Sequence, residues 1–246
     1  MSEQVLKGGH VVPHHFENAE QAEVSSKLGL WLFLVTEILL FGGLFVAYIV
    51  NRAHYPEMFH EASHHLDKTM GAFNTVVLIC SSFSMAMAVQ MTREGKRKLA
   101  SALLVFTLLC AGILMVVKYM EYSHKFHAGI APLYEEDGHL KFGFAHFNYG
   151  LFEHKNANLF YSLYFVMTGI HGIHVLVGMG LISWILYRNI KAEFSEEYYT
   201  PVDLTGLYWH LVDLIWIYLF PQSSHHRSYL PYCANVFYCF VYHFVR

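Results

Sequence analysis

The carboxyl group of Glu37 interrupts an apolar segment that runs from residue 28 to residue 50. If this segment crosses a bilayer, a charge near its middle costs about 3 kcal/mol and normally faces protein or water. Two interpretations follow. The carboxyl is hydrogen-bonded to a neighbouring helix as part of the packing, or it forms a site for a proton or a lipid headgroup. Both predict that Glu37 lies in the interior.

Two histidines, His171 and His174, lie three residues apart in another apolar segment, so a helix places them on one face. Paired imidazoles can bind haem, copper or zinc. Histidines in membrane proteins also form hydrogen bonds between helices. The sequence offers no further ligand at a matching depth, which favours the hydrogen-bonding interpretation.

Two further polar pairs have helical spacing. His210 and Asp213 are three residues apart, which predicts either a hydrogen-bonded tether between helices or part of a proton relay. Lys118 and Glu121 have the same spacing near the end of an apolar segment. We expect that pair to be a solvated ion pair that anchors the helix end.

These side chains must be positioned by membrane-spanning helices. A span needs about 20 mainly apolar residues, and five segments qualify: 28–50, 72–91, 99–120, 157–187 and 204–220. The 246 residues are 55% hydrophobic and 14% charged, whereas soluble domains carry about 25% charge. Nothing indicates the clustered basic face of a nucleic-acid-binding protein. The predicted fold is an all-α, multi-pass transmembrane helical bundle with about five spanning helices.

The basic residues predict the orientation. Arg93, Lys96, Arg97 and Lys98 stand in the short connection between the second and third segments, and such loops are cytoplasmic. The N-terminus is then cytoplasmic and the C-terminus outside. The predicted organisation is a polar N-terminal tail over residues 1–26, a transmembrane domain over 27–220 and an atypical C-terminal tail over 221–246.

Five motifs follow one another along the chain. They are KLGLWLFLVTE at 27–37 with FGG at 41–43, FNT at 73–75 with EGKRK at 94–98, the dipeptide EY at 121–122, TGIHGIHVLVG at 168–178 and YWHLVDLIW at 208–216. In these motifs and their order, the chain resembles subunit III of the haem–copper respiratory oxidases, the cytochrome c oxidase subunit III family. With five segments it is similar to the short bacterial form.

The resemblance implies an accessory subunit of a terminal oxidase in the bacterial plasma membrane. It implies no cofactor in this chain other than structural phospholipid, with haem and copper in the partner subunits. Those partners are the catalytic subunit I and subunit II, with cytochrome c or quinol as electron donor. The chain itself is then non-catalytic. It stabilises the catalytic subunit, binds lipid and sustains proton uptake.

The resemblance also implies roles for individual residues, with no catalytic residue and no metal ligand among them. Glu37 matches the family's buried carboxylate in a lipid cleft. Arg188 matches an arginine that pairs with a lipid phosphate, which a guanidinium can hold through two parallel hydrogen bonds. The remaining motif residues match packing and hydrogen-bonding positions: His171, His174, His210, Asp213 and Glu121.

Other functions remain open alternatives. Within the same family they are subunit III of a quinol oxidase and the accessory protein of nitric oxide reductase. A different class is a stand-alone membrane protein that binds a metal or haem through His171 and His174. A third class is a proton-coupled transporter that uses Glu37 and Asp213.

Overall fold

The structure is a computed structural model that describes residues 19–64, 68–130, 133–136, 139–142, 157–194 and 198–223. Its helices are α1 (Ala19–His54), α2 (Pro56–His64), α3 (Lys68–Arg93), α4 (Arg97–His127), α5 (Ala157–Ile190) and α6 (Thr200–Ser223), and its strands are β1 (Leu133–Glu136) and β2 (His139–Phe142). The parts of the two predicted tails that precede residue 19 and follow residue 223 lie outside the described residues.

The predicted all-α, multi-pass membrane fold is confirmed. Within the described residues, four helices are long and apolar enough to cross a membrane: α1 from Glu20, α3 from Thr69, α4 and α5. The fifth predicted span coincides with α6, which is not among those four. With 24 residues, α6 would extend about 36 Å and reach across a bilayer core. Its polar side chains lower its hydropathy, and a fifth crossing stays a prediction.

Helix α2 and the two strands were not predicted. Helix α2 begins at Pro56, a residue whose fixed backbone angle suits the first turn of a helix. Its Met58 and Phe59 are buried, and the Phe59 ring makes edge-on contacts with Tyr48 at 5.2 Å and Phe160 at 5.3 Å between centroids. Strands β1 and β2 form an antiparallel hairpin in the connection between the predicted spans 99–120 and 157–187.

Three helices end in the same type of turn, in which a residue with positive φ follows shortly after the last helical residue. Gly95 (φ 70°) follows α3, Gly129 (φ 71°) follows α4, and Ala192 (φ 61°) follows α5. Glycine adopts this left-handed conformation without strain, and it is the common residue at a helix C-terminus. At the end of α5, the Glu193 amide donates to the Arg188 carbonyl at 3.2 Å. This turn brings the two side chains close together.

The chain divides into two compact units. The first takes in Met1–Leu40, Leu78–Gly112 and His174–Asp213, and the second Phe41–Val77, Ile113–Ile173 and Leu214–Arg246, in both cases as far as they are described. In the first unit, the Asn189 amide donates to Ser101 Oγ at 2.8 Å and thereby joins α5 to α4. In the second unit, Trp216 Nε1 donates to Thr75 Oγ1 at 3.3 Å and joins α6 to α3.

Gly178 lets α6 approach α5 closely in the first unit. A Cβ atom at this position would lie 2.8 Å from two ring carbons of Trp209 and 3.3 Å from Tyr208. The Trp209 ring is itself fully buried, and its Nε1 donates to Ser81 Oγ at 3.0 Å. The ring therefore cannot move away without breaking that hydrogen bond.

We expect Gly178→Ala to destabilise the protein by about 1 to 3 kcal/mol, because overpacking forces rigid groups apart. The matched control is Gly180→Ala, since nothing lies within 4 Å of a Cβ built at Gly180. Thermal denaturation of the purified protein measures both. Equal midpoints for the two variants would show that the contact of Trp209 with Gly178 does not limit packing.

Candidate functional site: buried ionisable groups

The Glu37 carboxyl group lies at a contact between α1 and α5. Its Oε2 is 2.8 Å from Nε2 of His174, and the two side chains are 12% and 17% exposed. Tyr208 supports the pair from α6, because its hydroxyl donates to the His174 carbonyl oxygen at 3.0 Å. Glu37 is thus in the interior, as both interpretations of the sequence required. The sequence did not indicate His174 as its neighbour.

His171 has different neighbours from His174. It is 2% exposed, and its ring centroid lies 5.3 Å from that of Trp216 on α6. Helical spacing predicted that the two histidines share a face and could share a ligand. The structure instead places an indole against one histidine and a carboxyl against the other. Within the described residues, no three His, Cys, Asp or Glu side chains are arranged to hold a metal ion.

His210 of α6 contacts Ser82 of α3, and the hydroxyl oxygen of Ser82 lies 2.7 Å from Nδ1 of His210. Asp213, one turn further along α6, is 3% exposed. The sequence left open whether this polar pair on α6 tethers a helix or belongs to a proton relay, and it did not identify Ser82. A usable signal was present, because three serines at positions 81, 82 and 84 interrupt the apolar sequence of α3.

Glu121 is the centre of a buried ionic cluster in the second unit. Its two carboxylate oxygens lie 2.6 Å from Lys118 Nζ and 2.6 Å from Lys125 Nζ. Tyr164 of α5 donates its hydroxyl to the same carboxylate at 2.5 Å. The Lys118 ammonium also lies 4.4 Å from the centre of the Trp216 ring, a cation–π contact.

The expectation of a solvated pair between Lys118 and Glu121 is therefore wrong. The two side chains are 14% and 11% exposed. Sequence spacing correctly placed them one turn apart on α4, but it could not show that Tyr164 of α5 and Trp216 of α6 cover that turn. The structure joins three helices around one carboxylate.

Arg188 lies at the end of α5, where its side chain is 13% exposed. Its Nε donates to Oε2 of Glu193 at 2.6 Å. The guanidinium carbon lies 4.8 Å from the Trp184 ring centre and 5.1 Å from that of Phe194. The predicted contact with a lipid phosphate stays a prediction. The contact with the Phe194 ring was not predicted, because it depends on the turn at Ala192.

We expect Glu121→Gln to cost about 3 to 5 kcal/mol, because it leaves two buried ammonium groups without their carboxylate. The control is Glu94→Gln, which breaks an exposed ion pair with Lys96 at 2.7 Å and should leave stability unchanged. Chemical denaturation of the purified protein measures the difference. Similar stability of both variants would mean that the cluster is solvated.

Comparisons with known proteins add an independent observation. The family described as "Cytochrome c oxidase subunit III" matches residues 146–225. Cytochrome c oxidase subunit 3 of Synechocystis is 31% identical over 193 residues, which are 78% of this chain and 72% of that protein. The protein of the same name from Thermostichus vulcanus is 30% identical, over 78% of this chain and 83% of its own. Quinol oxidase subunit 3 of Bacillus subtilis is 28% identical over 78% of this chain and 83% of its own length.

Proposed function

The chain belongs to the cytochrome c oxidase subunit III family, and from this premise we propose that it is an accessory subunit without a redox centre in a respiratory haem–copper terminal oxidase. In this proposal, subunits I and II hold the haem and copper, reduce oxygen and translocate protons. This chain stabilises the catalytic subunit, binds phospholipid and sustains proton uptake.

One observation supports a structural role for the histidine motif. His174 contacts Glu37 at 2.8 Å, and His171 lies against the Trp216 ring. A haem or metal site requires imidazole nitrogens that converge on one point. Here Nε2 of His174 faces the Glu37 carboxyl, and the His171 ring packs against the Trp216 indole. This arrangement favours an accessory subunit over a stand-alone metal or haem protein.

The electron donor of the complex is cytochrome c or quinol. Relatives named for each type have nearly equal identity to this chain, 31% and 28%. A subunit without a redox centre takes no part in electron transfer from the donor. Its sequence therefore need not differ between cytochrome c oxidases and quinol oxidases. The proposal therefore covers both kinds of oxidase.

The proposed location is the bacterial plasma membrane. The turn between α3 and α4 carries Arg93, Lys96, Arg97 and Lys98, and such basic loops stay in the cytoplasm. If α6 also crosses the membrane, the N-terminus is cytoplasmic and the C-terminus is outside.

The proposal is tested by purifying the native membrane complex through a tag on this chain. We expect haem-bearing catalytic subunits to copurify, and the reduced-minus-oxidised spectrum to show their haem. After separation in detergent, this chain should carry neither haem nor stoichiometric metal. A chain that purifies alone with bound haem or metal would refute the accessory role and direct attention to His171 and His174.

Arg188 is the residue that we propose holds a lipid phosphate. A guanidinium can hold two phosphate oxygens side by side, and the contact of Nε with Glu193 at 2.6 Å fixes the Arg188 side chain at the end of α5. The neighbouring Trp184 is 50% exposed, as is typical of an indole at the membrane–water interface.

We expect Arg188→Ala to lower the copurifying phospholipid by about one molecule per chain, because a bidentate phosphate contact is lost. The control is Lys191→Ala, which removes an equal charge from an exposed lysine that lies over the Tyr187 ring at 4.4 Å. Mass spectrometry of extracted lipid measures both. Equal lipid content in the two variants would remove the phosphate role from Arg188.

A further inference from the structure

Two cysteines, on the neighbouring helices α3 and α4 of the first unit, have no part in the proposed function. Both carry free thiols; Cys80 is exposed, and Cys110 is 7% exposed. We propose that they form an oxidation site, at which a hydroperoxide carried by a membrane lipid joins Cys80 to Cys110 in a disulfide bond between the two helices.

A contact one turn away indicates that the two cysteines are neighbours. Oγ of Ser84 on α3 lies 2.6 Å from Oγ1 of Thr107 on α4. Both side chains are short, so the two backbones must be close at this point. The helices are antiparallel, because only residues 94–96 connect the end of α3 to the start of α4. A step toward the start of α3 and a step toward the end of α4 therefore lead to the same level.

Helical geometry then gives the position of each thiol. Cys80 precedes Ser84 by four residues, which is about 6 Å along the axis and about 40° around it. Cys110 follows Thr107 by three residues, which is about 4.5 Å along the axis and about 60° around it in the same sense. In an antiparallel pair, these rotations bring both side chains to the same side of the interface. Cys80 is also close enough to act electrostatically on the Cys110 thiol.

The surroundings of Cys80 determine the kind of oxidant. Cys80 lies within the apolar span Thr69–Arg93, and the nearby Ile79 and Phe83 are 47% and 67% exposed. Large apolar side chains exposed in the middle of a span face lipid chains, so a reagent reaches Cys80 from the lipid rather than from water. A hydroperoxide on a fatty acyl chain is a two-electron oxidant that is soluble at this depth.

The reaction consumes both thiols and one hydroperoxide. The sulfur of Cys80, the more exposed of the two, attacks the terminal oxygen of the hydroperoxide, and the O–O bond breaks. The thiol proton goes to the leaving oxygen, which gives a lipid alcohol and a sulfenic acid on Cys80. The sulfur of Cys110 then attacks that of Cys80, the S–O bond breaks, and water leaves with the Cys110 proton. Two sulfurs are oxidised by one electron each, and the hydroperoxide is reduced by two.

A metal ion fits the pair less well than a disulfide. Thiolates bind soft metal ions, but two thiolates around a monovalent ion carry a net negative charge, which is costly in apolar surroundings. A disulfide is uncharged. Within the residues that the structure describes, no group of three His, Cys, Asp or Glu side chains includes these cysteines in a metal site.

Mass spectrometry of the wild-type complex tests the proposal. The purified complex in lipid vesicles is treated with a phospholipid hydroperoxide, alkylated at its remaining thiols, and digested with trypsin without reduction. Cys80 is the one cysteine of the tryptic peptide 69–93, and Cys110 is the one cysteine of the peptide 99–118. We expect these peptides to be joined, with the loss of two hydrogen atoms, and to separate in a thiol reductant. Peptides that stay unlinked, or that link only to other cysteines, would overturn the proposal.

A cysteine moved by one residue is the matched control. The double variant Cys80→Ala with Ile79→Cys places a thiol at nearly the same depth, at another position exposed to lipid. It points about 140° away from the direction of Ser84 and hence away from α4. We expect the link to Cys110 to be lost. A disulfide requires Cα atoms about 4.4 to 6.8 Å apart, so equal linkage in this variant and in wild type would contradict the placement of Cys80 beside Cys110.

Discussion

A polar or ionisable side chain that leaves water for an apolar interior must find a partner there, because its lost hydration costs several kilocalories per mole. This constraint determines which helices are neighbours. Glu37 joins α1 to α5 through His174 at 2.8 Å. Glu121 joins α4 to α5 through the Tyr164 hydroxyl at 2.5 Å. Each contact lies inside one of the two units, so each unit has specific polar links in addition to its apolar packing.

Helix α6 adds further polar links, which join it to α3. Its Trp209 donates to Ser81 at 3.0 Å, and its Trp216 donates to Thr75 at 3.3 Å. Both indoles are almost fully buried. A buried tryptophan contributes a large apolar surface and also needs an acceptor for its N–H. The serine and threonine hydroxyls of α3 provide that acceptor, which explains why polar residues recur on an otherwise apolar helix.

The same arrangement suits an accessory subunit. The carboxyl groups of Glu37 and Glu121 contact other side chains of the protein, while large apolar side chains face outward. Leu39 is 69% exposed and Ile173 is 61% exposed, as expected for surfaces in contact with lipid or with another membrane subunit.

Residue types and their spacing were sufficient to predict an all-α membrane fold and the four most apolar spans, because a spanning helix must be apolar along about 20 residues regardless of its neighbours. The family was predicted from the resemblance of five motifs in order. The sequence also marked Glu37, His171, His174, His210 and Asp213 as buried polar positions. It could not show which of them meet. Ser82 and His210 lie 2.7 Å apart, although 128 positions separate them in the chain. Lys118 and Glu121 were expected in solvent, but Tyr164 and Trp216 cover them. Helical periodicity fixes the side of a helix on which a residue lies, and only the packing of one helix against another decides what that side contacts.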